Sequence, residues 1–138
     1  MKFKDYKIAK NLKSSINDLG WKRPTDIQYK AIQPILNGED VLAIAQTGTG
    51  KTASFVIPTL NDIYNDLSKN EDHFVRCLVM VPTRELAVQI AEVYEQVGKS
   101  TKARIQPIIG GVEQDAQINS LKEGVDVVIS TPGRLFDL

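Results

Sequence analysis

The stretch that most constrains this chain is Ala45-Gln46-Thr47-Gly48-Thr49-Gly50-Lys51-Thr52. It follows a continuously apolar run at 41–45 and opens a helical pattern. Strand, glycine-bearing loop and helix in that order are the setting of a P-loop, here with Ala45 where the strict pattern has Gly. Gly48 and Gly50 let the backbone turn so that successive N–H groups face phosphate oxygens. The helix start adds its positive dipole end. In such a loop residues 46–52 cradle the phosphates, Lys51 reaches the β- and γ-phosphates, and the Thr52 hydroxyl offers a ligand to Mg²⁺. Ordinary residue frequencies make a chance match anywhere in the chain an event of about one per cent.

The remaining pattern repeats the same unit. Apolar runs at 41–45, 77–81, 105–109 and 125–130 read as buried strands, because they are short and lack alternation. Helical spacing separates them. Ile8, Leu12, Ile16 and Leu19 form one stripe that Gly20 stops, and Thr25 starts a second helix. Thr83 caps a long helix carrying Leu86, Ile90, Val93 and Val97, and residues 116–122 read as helical. Thr131-Pro132-Gly133 opens a last helix. Pro58 is expected to kink the helix after the P-loop, and 65–72 reads as a polar surface loop. Alternating strands and helices predict an α/β domain with a parallel sheet flanked by helices. Ligands bind at the carboxyl ends of such strands, where all the unusual residues of this chain fall.

The chain has 138 residues, room for one domain spanning 1–138 with about 7,000 Å² of folded surface. Its 42% hydrophobic and 25% charged residues exclude low-complexity, collagenous and disulfide-dense classes. Net charge is zero, but the first thirty residues are basic: Lys2, Lys4, Lys7, Lys10, Lys13, Lys22, Arg23 and Lys30 face Asp5, Asp18 and Asp26. That run reads as a solvated helix face. No global basic field exists, so any polyanion site must be local. Cys77 stands alone and reads as a small buried apolar residue in a reducing compartment. The start of the chain has no signal-peptide pattern and no run is long enough to span a bilayer, which predicts a cytoplasmic protein without membrane contact. His73 reads as a solvated loop side chain, and one His with one Cys at no ligand spacing gives no metal site.

A nucleotide hydrolase of this type also needs an apolar strand ending in Asp. The strand at 77–81 ends in Pro82, and that at 125–130 ends in Thr131 with Asp126 near its start. Neither qualifies. The residues alone therefore support nucleotide binding and not hydrolysis.

Taken together, the motifs resemble the DEAD-box family of ATP-dependent RNA helicases, in the first part of its N-terminal RecA-like domain. The resemblance runs from Phe3 to Arg134. Residues 20–28, Gly-Trp-Lys-Arg-Pro-Thr-Asp-Ile-Gln, look like the Q motif, with Phe3 as its isolated upstream aromatic. Residues 45–52 look like motif I, Pro82-Thr83-Arg84-Glu85-Leu86 like motif Ia, Gly110-Gly111 like the GG motif, and Thr131-Pro132-Gly133-Arg134 like motif Ib. The resemblance implies that Gln28 reads the adenine edge of ATP and that Trp21, where the family usually has Phe, stacks on the base. Thr25-x-x-Gln28 is also a capping box, which alone would explain both residues. Phe3 would buttress this region.

By the same resemblance Pro82, Thr83, Arg84, Gly110, Gly111, Thr131, Pro132, Gly133 and Arg134 would hold single-stranded RNA, or one strand of a duplex, by its sugar–phosphate backbone. Helix starts, glycines and two arginines suit such contacts, which are indifferent to base sequence. Thr83 could equally be only a helix cap and Arg84 a solvated charge. The family continues past the equivalent of Leu138 into an Asp-Glu-Ala-Asp motif and a second RecA-like domain. The implied fold for these residues is thus a RecA-like P-loop sheet incomplete at its C-terminal end, with open edges that favour association. Three functions follow: the ATP- and RNA-binding portion of a helicase that locally unwinds RNA; a non-hydrolysing nucleotide- or RNA-binding module; and a P-loop kinase or generic NTPase.

Overall fold

The computed structural model describes residues 1–46 and 50–138; Thr47, Gly48 and Thr49 of the expected cradle lie outside the described residues. After a short 3-10 turn at Phe3–Asp5, the order is α1 (Lys10–Asp18), α2 (Asp26–Leu36), α3 (Lys51–Leu67), β1 (Cys77–Met80), α4 (Arg84–Val97), β2 (Ile105–Ile108), α5 (Gln114–Glu123), β3 (Val127–Ser130) and α6 (Pro132–Asp137). Among the described residues the sheet has three strands in the order β1-β3-β2, all parallel. Helices intervene between successive strands, as parallel pairing requires.

β3 is buried along its whole length, as the central strand of a two-sided parallel sheet should be. Its side chains alternate between faces. Val127 and Ile129 join the main core with Leu12 and Ile16 of α1, Val56, Ile57 and Leu60 of α3, and Ile90, Tyr94 and Val97 of α4. Val128 faces the other way and packs with Ile108, Val125 and the partly buried Leu121 of α5. Each fully buried aliphatic side chain contributes about 1.5–3 kcal/mol. β2 is an edge strand and tolerates Pro107, which has no N–H to give a ladder.

Three expectations need correction. The apolar run 41–45 is not a strand: Leu42 is 90% and Ile44 87% exposed. A strand needs a neighbour to take its N–H and C=O groups, and among the described residues none lies beside this run. Among the described residues the outer edge of β1 is likewise unpaired, and Leu78 and Met80 on it are half exposed. The accessible surface of the chain is 8230 Å², above the scaling expectation. Helix α3 also runs through Pro58 to Leu67, so the polar loop begins later than its composition suggested.

His73 is the third correction. Its Nδ1 lies 2.7 Å from the carboxylate of Asp126, and the ring is largely covered. Asp126 is fully buried just before β3. It also accepts from Arg76 Nη1 at 2.6 Å and from the Arg104 backbone N–H at 2.8 Å. Its own backbone carbonyl accepts from Arg76 and Cys77, and its N–H donates to Arg104. One residue therefore clamps the amino ends of all three strands, opposite the ends where ligands bind. Cys77 is half-buried beside Tyr94, with burial pushing its thiol above the ordinary range.

Candidate nucleotide pocket and strand-end cluster

Thr25 caps α2, and its backbone N–H donates to Gln28 Oε1 at 2.9 Å, completing a capping box. That bond fixes the carboxamide orientation. Its Nε2 then donates to the Gly50 carbonyl at 3.1 Å. Gln28 is buried. The helix-capping explanation and the ligand-binding one are thus compatible: a carboxamide has two donors and two lone pairs, and each bond here uses one of its pair.

Gly50 is in the left-handed region at φ 83° and caps α3. A Cβ there would collide with Gln28 Nε2, so this position needs glycine for both conformation and space. Gly20, Trp21, Thr25, Gln28, Gly50 and Thr52 line a cavity of about 470 Å³, with Phe3 at its edge. Trp21 is half-buried and packs against the core. The Phe3 N–H donates to the Lys22 carbonyl at 3.0 Å, tying the first residues to this wall. Lys51 opens α3, exposed, with Nζ donating to the Ala45 carbonyl at 2.6 Å. Its ammonium thus reaches back to the residue before Gln46. Gln46 is exposed ahead of the undescribed residues.

The observed donors fit a nucleotide: a helix start, an αL glycine beside it, a lysine at the first turn and a buried carboxamide in the adjoining wall. For a cation, Thr52 supplies a hydroxyl, and no group of three or more His, Cys, Asp or Glu side chains among the described residues could hold a metal.

The parallel register aligns Met80, Ser130 and Ile108. The segments that follow these three residues are therefore neighbours. Pro82 and Thr83 lead into α4, with Thr83 Oγ1 accepting the Leu86 N–H at 3.2 Å. Thr131 starts α6 without a side-chain cap bond, and Pro132 takes the first turn, where its missing N–H costs nothing. Gly110 and Gly111 turn after β2, Gly111 at φ 81°. Arg84 Nη1 donates to the Gly110 carbonyl at 3.3 Å, and Arg134 Nη1 to the Val112 carbonyl at 3.3 Å. A Cβ on Gly111 would strike the Arg84 guanidinium. Arg84 and Arg134 thus gather the strand ends into one cluster, Arg84 through Gly110 and Arg134 through Val112 of the same turn. Sequence reading missed Gln117, a buried glutamine that joins this cluster from α5.

A parallel sheet with a P-loop helix start and this strand-end cluster defines a RecA-like nucleotide-binding domain. The sequence model of the DEAD/DEAH box helicase family matches residues 25–138, and the chain belongs to that family. The ATP-dependent RNA helicase DeaD of Haemophilus influenzae is 43% identical over 136 residues, 98% of this chain and 21% of that protein. The DEAD-box ATP-dependent RNA helicase RhpA of Helicobacter pylori is 40% identical over 135 residues, 98% of this chain and 26% of the relative. Among solved structures, a DEAD box protein from Methanococcus jannaschii superposes with TM-score 0.90 at 37% identity, over 99% of this chain and 36% of that one. A hypothetical ATP-dependent RNA helicase from Sulfolobus tokodaii gives TM-score 0.82 at 34% identity, over 95% of this chain and 36% of that one. The chain thus spans about a quarter of the length of these curated relatives. No helix among the described residues is long and apolar enough to cross a membrane.

Proposed function

We propose that this chain is the ATP- and RNA-binding portion of an ATP-dependent RNA helicase that acts on RNA duplexes in the cytoplasm. The observation that carries the reading is the Gln28 carboxamide, held between Thr25 and Gly50. A generic P-loop protein or kinase has no use for it. The unused N–H and lone pair of Gln28 match N7 and the N6 amino group of adenine. Guanine presents two acceptors at the same edge, so its O6 would face Gln28 Oε1. Trp21 supplies a stacking face, Lys51 and the residues from Gln46 through Gly50 hold phosphates, and Thr52 takes the Mg²⁺ that arrives with the nucleotide. Bound ATP supplies the phosphoryl-transfer energy that the whole protein would use to separate strands, a second RecA-like domain closing over the site.

Single-stranded RNA would lie across the three aligned strand ends, its phosphates meeting the free N–H groups at the starts of α4 and α6, the glycine turn, and the remaining N–H groups of Arg84 and Arg134. None of these groups reads a base edge. A second reading, that the 138 residues bind without turnover, is favoured by the strand ends: β1, β2 and β3 close on Met80, Ile108 and Ser130, none of them an acid. It applies to this chain and the first to the longer protein. Two fluorescent single-stranded RNAs of equal length and unrelated sequence test the RNA half by anisotropy. Equal, salt-sensitive affinities are expected; strong preference for one sequence, or no binding by the folded chain, would contradict it.

A further inference from the structure

The side chain that α5 buries is Gln117, at 2% exposure, whereas Leu121 beside it is only partly covered. That inverts the usual economy of a helix packed on a sheet, where the covered position is apolar. A buried carboxamide is tolerated only when its groups are paired. Here both ends are. Nε2 donates to the Ile109 carbonyl at 2.9 Å, immediately before the glycine pair, and Oε1 accepts from Arg134 Nη1 at 3.3 Å.

The neighbouring bonds complete a pattern. The carbonyls of Ile109, Gly110 and Val112 are taken by Gln117, Arg84 and Arg134 in turn. Among the described residues no backbone or side-chain acceptor takes the N–H of Gly110 or Gly111. Three side chains thus pull the carbonyl side of the turn into the protein, which leaves its donor side available to an anion. Arg84 and Arg134 are exposed or half-exposed, but Gln117 has no route to solvent and cannot itself meet a ligand.

We infer that Gln117 is a positioning residue for polyanion binding: it sets the Gly110–Gly111 turn and the Arg134 guanidinium in one fixed relation, so that both engage successive phosphates of one strand. This rests on the RNA reading above, though the positioning itself can be measured without RNA. Removing the carboxamide frees the turn and one guanidinium N–H together, and the loss falls on the strand-end cluster alone.

The test uses the whole chain carrying Gln117→Leu, with Gln117→Met as a second variant should the first fail to fold. The backbone order parameters of Gly110 and Gly111 are read first, without ligand, and should fall from the rigid range of about 0.85 to below about 0.6 in the folded variant. Affinity for a labelled single-stranded RNA should then fall about tenfold, while ATP affinity stays within twofold of wild type. The slope of log affinity against log salt should stay unchanged, because no cation is removed; Arg134→Ala should lower it by about one. Unchanged order parameters and RNA affinity in a folded variant would overturn the inference, as would equal losses of ATP and RNA binding. If wild type binds no RNA, the RNA reading fails, and the order parameters alone decide whether Gln117 positions the turn.

Discussion

Asp126→Ala is expected to cost about 3–5 kcal/mol of folding stability, the range for stripping one partner from a buried charged pair. Three independent donors converge on this carboxylate: His73 Nδ1 at 2.7 Å, Arg76 Nη1 at 2.6 Å and the Arg104 N–H at 2.8 Å. Asp126 is fully buried, and the Arg76 side chain is only 7% exposed. Without the carboxylate, that guanidinium keeps Asp66 on its exposed side but on the other faces only two further donors, His73 Nδ1 and the Arg104 N–H. A domain of this size has a total of roughly 5–15 kcal/mol to lose, so a large unfolded fraction follows at 25 °C. Urea unfolding of wild type and variant, followed by circular dichroism, measures the difference. Asp126→Asn keeps the shape and one acceptor and should fall between them. A loss below about 1 kcal/mol for the alanine variant would show that the clamp at the amino ends of the strands is not structural.

Lys51→Ala should produce the opposite profile: folding unchanged, nucleotide binding gone. Lys51 is exposed, and its bond to the Ala45 carbonyl lies at the surface, where its loss is worth no more than about 0.5 kcal/mol. Alanine is also the best helix former for the first turn of α3. Against a triphosphate, however, the ammonium makes charge-assisted bonds worth roughly 2–4 kcal/mol, so ATP affinity should fall about 30- to 1,000-fold. Titration with a fluorescent ATP analogue reads this directly, with a melting curve beside it. Retained affinity would mean that the phosphates do not lie at the start of α3.

Much of this arrangement is local and therefore legible in the sequence. Thr25 and Thr83 announce helix starts, the apolar stripe of α4 announces its buried face, and the glycines at 50 and 111 sit where the backbone takes positive φ. What sequence could not supply was long-range. The run 41–45 has strand composition, but composition does not provide a neighbouring strand, and the run is exposed. His73 sits in a polar stretch, yet meets a carboxylate 53 residues away. Gln117 lies in a weakly patterned helix, where nothing local separates a buried glutamine from a solvated one. Its only signal was position: a polar residue on the same helical face as Leu121, where an apolar one belongs. Pairing of motif residues with one another, Gln28 with Gly50 and Arg84 with Gly110, also emerges only from tertiary contact.

The most direct test of the central claim, that these residues build an adenine-selective triphosphate site, is a calorimetric titration of the wild-type chain with ATP and, separately, with GTP. The Gln28 carboxamide predicts saturable one-to-one ATP binding and GTP binding at least about tenfold weaker, since one mismatched edge contact costs roughly 1–3 kcal/mol. Equal heats and affinities for the two nucleotides, or none for either in a chain shown to be folded, would contradict it.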